Sequence, residues 1–321
     1  MRKSLHTGLT AGMLAMGIIA APSFAEIKVN DQLSLNGFID MSTTAGLPDV
    51  GPMTATATFD QFELDFMYKF SDKLSARVDL NSLGGGATVF EQGFISYAAS
   101  SDLTIQAGKF LSTSGWEAAE PTGMYQYSYS DAFVYGGYQN GVNVSYTVSP
   151  MISLYGAVVD GIWNPDGDIK RAGLEGQVAL MPTKEITAKV TGMYEQEVGY
   201  GKTVLNAWGS YVMGPLTAAV EADYLMNYRF EDDNGFGYLV MSNYKLTDAF
   251  AVTGRFSGIS LSDNGLAPAN PAYVGEVTQN EITISPSLAL LSNWLILAEA
   301  KYQLDDSNKG LGLAVETTVT F

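Results

Sequence analysis

The sequence predicts an all-β protein: a transmembrane, antiparallel, up-and-down β-barrel of about 16 strands with its third long loop folded inward. Three observations predict it. Apolar and polar residues alternate with period two along most of the chain, the mark of strands with one apolar face. Short turns alternate with long polar loops as connections. Although 46% of the chain is hydrophobic, no stretch of residues 26–321 is apolar for the roughly 18 residues of a spanning helix.

Residues 1–25 read as a cleaved signal peptide, leaving a barrel over 26–321. Arg2 and Lys3 give a basic start, residues 9–21 are apolar or small, and Ser23-Phe24-Ala25 suits a signal peptidase. The apolar run falls short of the ~20 residues of a membrane anchor. Losing Arg2 and Lys3 takes the net charge from −17 to −19 and removes His6, the only histidine; the chain has no cysteine. Disulfides, thiol nucleophiles, histidine-bound zinc and Ser-His-Asp triads are therefore excluded from the remainder. So strong an acidic excess argues against nucleic acid as a partner. No enzyme activity and no cofactor are expected.

The clearest strand is FELDFMYKF, with Phe62, Leu64, Phe66, Tyr68 and Phe70 on one face and Glu63, Asp65, Met67 and Lys69 on the other. The next sets Leu74, Ala76, Val78 and Leu80 against Ser75, Arg77, Asp79 and Asn81. The pattern recurs around Val142–Val148, Leu174–Leu180, Ile186–Tyr194, Leu216–Met226 and Trp294–Tyr302. Short turns fall at 71–73, 100–102, 149–150, 182–184, 214–215, 247–248 and 291–293. Longer loops fall at 42–56, 82–87, 112–136, 162–170, 196–202, 228–235, 261–276 and 304–309. An even strand number puts both ends on the short-turn, periplasmic side.

A soluble sandwich also alternates, but its apolar face is a core of large aliphatics. Here the apolar faces carry much Ala and Gly. Tyr68, Phe70, Tyr146, Tyr211, Tyr244, Phe250 and Trp294 gather beside the short turns, with Tyr194, Tyr224 and Tyr302 near the long loops. Two aromatic belts fit an outer membrane of lipid and lipopolysaccharide. The chain ends GLGLAVETTVTF, and a terminal aromatic, Phe321, after an alternating strand is the kind of signal that barrel-assembly machinery reads.

One segment stands apart: GKFLSTSGWEAAEPTGMYQYSYS, residues 108–130. Its GKF, the step Gly115-Trp116-Glu117, Glu120 and the run Tyr127-Ser128-Tyr129-Ser130 resemble the most recognisable motif of the OmpL-like β-barrel porin family. The ending SPSLALLSNWLILAEAKYQLDDS followed by a last strand is similar to that family's C-terminal hairpins. The resemblance covers essentially all of 26–321 and implies passive diffusion of small hydrophilic solutes across the outer membrane. Tyr129 stands where the family motif usually carries Arg or another polar residue.

As the third long loop, 112–136 has two readings. It folds inward as a constriction, bringing Glu117, Glu120 and Asp131 to the narrowest section beside Trp116, Tyr125, Tyr127 and Tyr129. Alternatively, its aromatics pack on the wall and its acids face bulk water. The strand polar faces would line a water-filled lumen that leans acidic, with Glu63, Asp65, Asp79, Glu91, Glu175, Glu221, Asp223 and Glu299 against Arg77, Arg171, Lys189 and Lys301. That excess predicts mild cation preference. Some pairs stiffen the wall equally well: a hairpin centred on Asp72 puts Arg77 between Asp65 and Asp79, and one centred on Thr183 puts Gln177 opposite Lys189. Arg255, with Thr253 and Ser257 on an otherwise uncharged face, either faces the acidic loop across the lumen or makes a rim contact. No metal site is expected, since Gly84-Gly85-Gly86 is a turn and NPDGD (164–168) lacks calcium-loop spacing. A structural or adhesion barrel with a closed lumen is the alternative to a porin, and the outward faces do not decide whether three copies associate.

Overall fold

The computed structural model describes residues 26–84, 86–117, 119–130, 136–163, 171–262, 277–305 and 309–321. The proposed signal peptide, NPDGD and Asp131 lie outside them. A two-residue strand β1 (Ile27–Lys28) precedes sixteen long ones: β2 (Leu33–Pro48), β3 (Thr54–Lys69), β4 (Leu74–Leu83), β5 (Thr88–Ala98), β6 (Leu103–Leu111), β7 (Tyr138–Ser149), β8 (Ile152–Val159), β9 (Gly173–Leu180), β10 (Ile186–Gln196), β11 (Gly201–Met213), β12 (Leu216–Met226), β13 (Gly235–Lys245), β14 (Phe250–Leu261), β15 (Val277–Leu291), β16 (Trp294–Gln303) and β17 (Gly310–Thr320). Each long strand pairs antiparallel with its neighbours in sequence, and β17 returns to pair with β2. The sheet is a closed barrel. Closure removes the sheet edge wherever neighbouring strands overlap, while the projecting residues 54–59 of β3 pair with β2 alone.

The faces are inverted relative to a soluble protein. Most side chains pointing into the barrel are acidic or polar and buried, with Glu195, Asp223 and Glu281 0% exposed, and they are joined by buried apolar residues such as Met193, Val204 and Leu225. Those pointing out are apolar and exposed: Val190, Val220 and Ile284 are 55–57% exposed. In a sandwich the aliphatics would be the buried set. The belts predicted from sequence also face outward, with Phe70, Tyr146, Tyr224 and Tyr244 all exposed.

All seven short turns occur where predicted, several closed by a side chain. Ser71 Oγ accepts from the N–H groups of Lys73 and Leu74, Ser100 Oγ from those of Asp102 and Leu103, and Thr247 Oγ1 from those of Ala249 and Phe250. These are local turns in which a hydroxyl replaces a missing ladder partner. The first long loop is shorter than expected, because β2 and β3 run on to Pro48 and from Thr54. Its Thr-rich segments pair as strand, with Thr44 and Thr56 directly opposite and their hydroxyls 2.8 Å apart. Polar threonines read as loop, yet their β-branched side chains suit a strand.

Four register shifts interrupt the wall; two lie beside short turns, on β7 and β15, and two are bulges further along β3 and β5. On β3, Asp40 faces Gln61 but Met41 faces Phe59, so Asp60 is the extra residue. On β5, Asp79 faces Gln92 but Leu80 faces Phe90, so Glu91 is extra. Closure at the seam involves the last residue. Phe321 N–H donates to Gly37 O at 2.9 Å, Gly37 N–H donates to Phe321 O at 3.0 Å, and the Phe321 ring stacks on Phe62 at 6.1 Å. A Cβ on Gly37 would lie 2.2 Å from Glu63 O and 2.9 Å from the Phe321 ring, so only glycine fits there. Phe321→Ala should lower unfolding stability by about 2 kcal/mol through lost aromatic burial. Urea titration of the refolded barrel, followed by its heat-modifiable gel mobility, measures this.

Candidate functional site

Between β6 and β7, the described residues 112–117 and 119–130 enter the barrel and run along its inner wall. Small polar residues start the segment: Ser112 Oγ and Ser114 Oγ lie 2.9 Å apart, and Gly115 turns the chain at φ +84°. A backbone threaded inside a protein must find partners for its N–H and C=O groups, and here the wall supplies acids. Glu175 on β9 accepts from Thr113 N–H at 2.8 Å and from its hydroxyl at 2.6 Å. Glu221 on β12 accepts from Trp116 N–H at 3.2 Å, and Asn206 on β11 accepts from Gly115 N–H at 3.2 Å. Glu299 on β16 accepts from Ser128 N–H at 3.0 Å. Asp223 receives the Asn206 amide at 2.7 Å, holding that side chain toward the loop.

Apolar contacts fix the same segment. Trp116 packs edge-on against Trp208 at 5.2 Å and stacks with Tyr125 at 6.4 Å, over Ala219, Leu239 and Met241. All four wall residues point inward, breaking the polar rule for that face. Lys189 lies over the Trp208 ring at 5.2 Å.

Arg255 is the clasp. Its side chain is fully buried, with Nη1 2.5 Å from Glu117 Oε1 and Nη2 2.6 Å from Glu281 Oε1. It also donates to Ser128 O at 2.7 Å and to Thr283 Oγ1 at 3.3 Å. Glu117 in turn accepts from Gln126 Nε2 at 2.7 Å and Ser130 N–H at 2.8 Å. Arg255 thus bonds the loop directly instead of facing it across open space or sitting at the rim. On the other side, Tyr127 OH lies 3.1 Å from Ser42 Oγ. Glu120 accepts from Gln61 Nε2 at 3.2 Å and from the Tyr138 hydroxyl. Burial, and then the charge of Glu91, pushes the Glu120 carboxyl above the usual range. Burial also raises the Tyr125, Tyr127 and Tyr129 phenols, keeping them neutral.

The predicted wall pairs partly hold. Asp65 does face Asp79, and Arg77 bridges them at 3.1 and 2.7 Å. The later hairpin is centred one residue further on, so Gln177 faces Thr191 and bonds it at 2.9 Å, while Lys189 faces Ala179. Arg171 precedes β9 and is not part of a strand face. Lys301 Nζ is 3.4 Å from Glu281 Oε2. Sequence reasoning passed over Trp208, Glu281 and Asp60. Trp208 carried a signal, since it shares the face of Asn206 and Ser210 in an alternating strand.

The family profile described as "Putative beta-barrel porin-2, OmpL-like" matches residues 54–320. The chain belongs to that family. No curated protein matches the sequence. Among solved structures, this family member resembles OmpF of Salmonella typhi in complex with daunomycin, at 11% identity and TM-score 0.71 over 92% of this chain and 100% of that one. It also resembles the outer membrane channel DcaP of Acinetobacter baumannii (13% identity, TM-score 0.68, 90% and 97% covered) and an anion-selective porin from Comamonas acidovorans (11%, 0.62, 90% and 99%). The fold and family are those of outer-membrane porin channels. At such low identities the shared feature is the barrel, and selectivity has to be argued from this chain's own side chains.

Arg255→Met would leave Glu117 and Glu281 buried without their guanidinium, at a cost of about 3–5 kcal/mol. The expected result is a loop open to chymotrypsin at Trp116 or Tyr125 in a barrel that still shows heat-modifiable mobility; uncut loop would contradict the clasp.

Proposed function

We propose that the chain is an outer-membrane diffusion channel for small hydrophilic solutes and monovalent cations, with the in-folded loop as its constriction and a mild preference for cations. What supports this is the unequal division of the interior. Along β9–β12 the wall acids accept from the loop's own backbone, and apolar side chains pack beneath it. Along β17, β2 and β3 stand Glu316, Asp40, Asp60 and Glu63, and among the described residues no Lys or Arg of those three strands is ion-paired inside the barrel; the nearest such cation, Lys301 on β16, lies 3.4 Å from Glu281. Solute passing the loop on that side meets a field of carboxylates, which favours counter-ions of positive sign.

The test is single-channel conductance and reversal potential of the mature barrel in a planar bilayer under a KCl gradient. Stable ohmic steps with a cation-selective potential are expected. Asp40→Asn combined with Asp60→Asn should move that potential toward zero, since both side chains lie near Glu316 and neither has an ion-pair partner among the described residues. An unchanged potential in the double variant would remove these acids from the selectivity argument. A folded barrel that conducts nothing would favour the closed, structural alternative.

A further inference from the structure

Among the described residues, two sets of three carboxylates bring their oxygens within 4.8 Å of one another, and Glu63 belongs to both. The set with Asp65 and Asp79 already has a cation, since Arg77 bonds both aspartates. The other set is Glu63, Glu91 and Glu120, from β3, the β5 bulge and the loop. No described Lys or Arg pairs with any of its members.

Neutral donors do not complete it. Asn81 Nδ2 donates to Glu91 Oε1 at 2.7 Å, Gln61 Nε2 donates to Glu120 Oε2 at 3.2 Å, and the single Tyr138 hydroxyl hydrogen is shared between the nearer Glu120 Oε1 and Glu91 Oε2 at 3.2 Å. Glu63 Oε2 has no hydrogen-bond partner although the residue is 3% exposed. Nor does the carbonyl oxygen of Asn81, a fully buried residue standing directly across the β3–β4 ladder from Glu63 with its amide against Glu91. A buried amide carbonyl without a donor, beside a buried carboxylate in the same condition, is an acceptor pair awaiting a positive centre.

We infer that Glu63, Glu91 and Glu120, with the Asn81 carbonyl, form a binding site for a calcium ion that ties the constriction loop to the barrel wall. The donors are all hard oxygens, which select calcium or magnesium over softer metals. Calcium binds oxygen at about 2.3–2.6 Å in flexible geometry, so one ion can bridge oxygens up to about 5 Å apart. Three carboxylates and a carbonyl make an all-protein cage of the type that calcium accepts, whereas magnesium retains several waters and demands a near-ideal octahedron. The ion would answer Arg255 from the opposite wall. Glu117 is held by β14, and three residues later Glu120 would be held by β3, β4 and β5.

The site shares Glu63 with the acidic side of the lumen, but its test carries no current, so the two readings can fail separately. The full mature barrel in detergent is titrated calorimetrically with CaCl2 and, separately, with MgCl2. Saturable binding of one calcium per barrel is expected, together with loop protection from chymotrypsin when calcium is present. Glu63→Gln and Glu120→Gln should each weaken binding at least roughly ten-fold, since losing even an outer contact costs that much. Asp248→Asn, an exposed acid in the turn before β14, should leave it unchanged. If Glu63→Gln does not refold to a heat-modifiable barrel, Glu120→Gln decides, because Glu120 lies on the loop and not in the wall. Absence of saturable calcium binding, binding unaltered in Glu120→Gln, or magnesium binding as tight as calcium would overturn the assignment.

Discussion

A loop placed inside a barrel carries its backbone N–H groups away from bulk water, and each must find an acceptor there. Much of the interior follows from this constraint. The wall meets it with carboxylates, which accept from Thr113, Trp116 and Ser128, while Arg255 takes the free carbonyl of Ser128. Charge-assisted bonds are stronger than neutral ones, so a few acids can seat a long segment that has little regular structure. The same device recurs at the mouth, where Glu195 accepts from the N–H groups of Ile162 and Trp163. There Lys202 sits over the Trp163 and Tyr228 rings at 4.2 and 4.4 Å. Wall acids in this barrel are therefore of two kinds: those consumed in holding loops, and those left to face whatever fills the lumen.

That division bears on selectivity. An acidic total does not by itself describe a channel, because Glu117, Glu175 and Glu221 are engaged by protein donors and present little charge to a passing ion. The carboxylates that matter stand where no loop backbone reaches them. A related fold carries an anion-selective porin, which is consistent with a barrel whose scaffold is indifferent to the sign of its lumen charge.

Much of the wall was legible in the sequence, because period-two alternation has to survive in any strand with lipid on one side and water on the other. Turn positions followed from the short breaks between alternating runs, and the structure closes three of them with Ser71, Ser100 and Thr247. Three features were hidden. The Thr-rich extensions of β2 and β3 read as loop, since polar composition is a weak guide where strands project beyond the apolar band. Trp208 lies on a nominally polar face because a loop covers it. Arg255 and Glu117 could be singled out as unusual, but 138 residues separate them and only the in-folded path brings them together. Spacing along a chain says nothing about contacts made across a lumen.

The bulges at Asp60 and Glu91 have a further consequence. On either side of each, the membrane-facing set resumes undisturbed, with Phe59 then Phe62 and Leu64 outward, and Phe90 then Ile95 and Tyr97 outward. The extra residue is absorbed wholly on the inner face. Lipid sees the same picket of side chains whether or not the insertion is there. A barrel of this kind can thus gain or lose an inner carboxylate one residue at a time while its insertion into the bilayer is left alone, so the chemistry of its interior is free to drift at sites its exterior never registers.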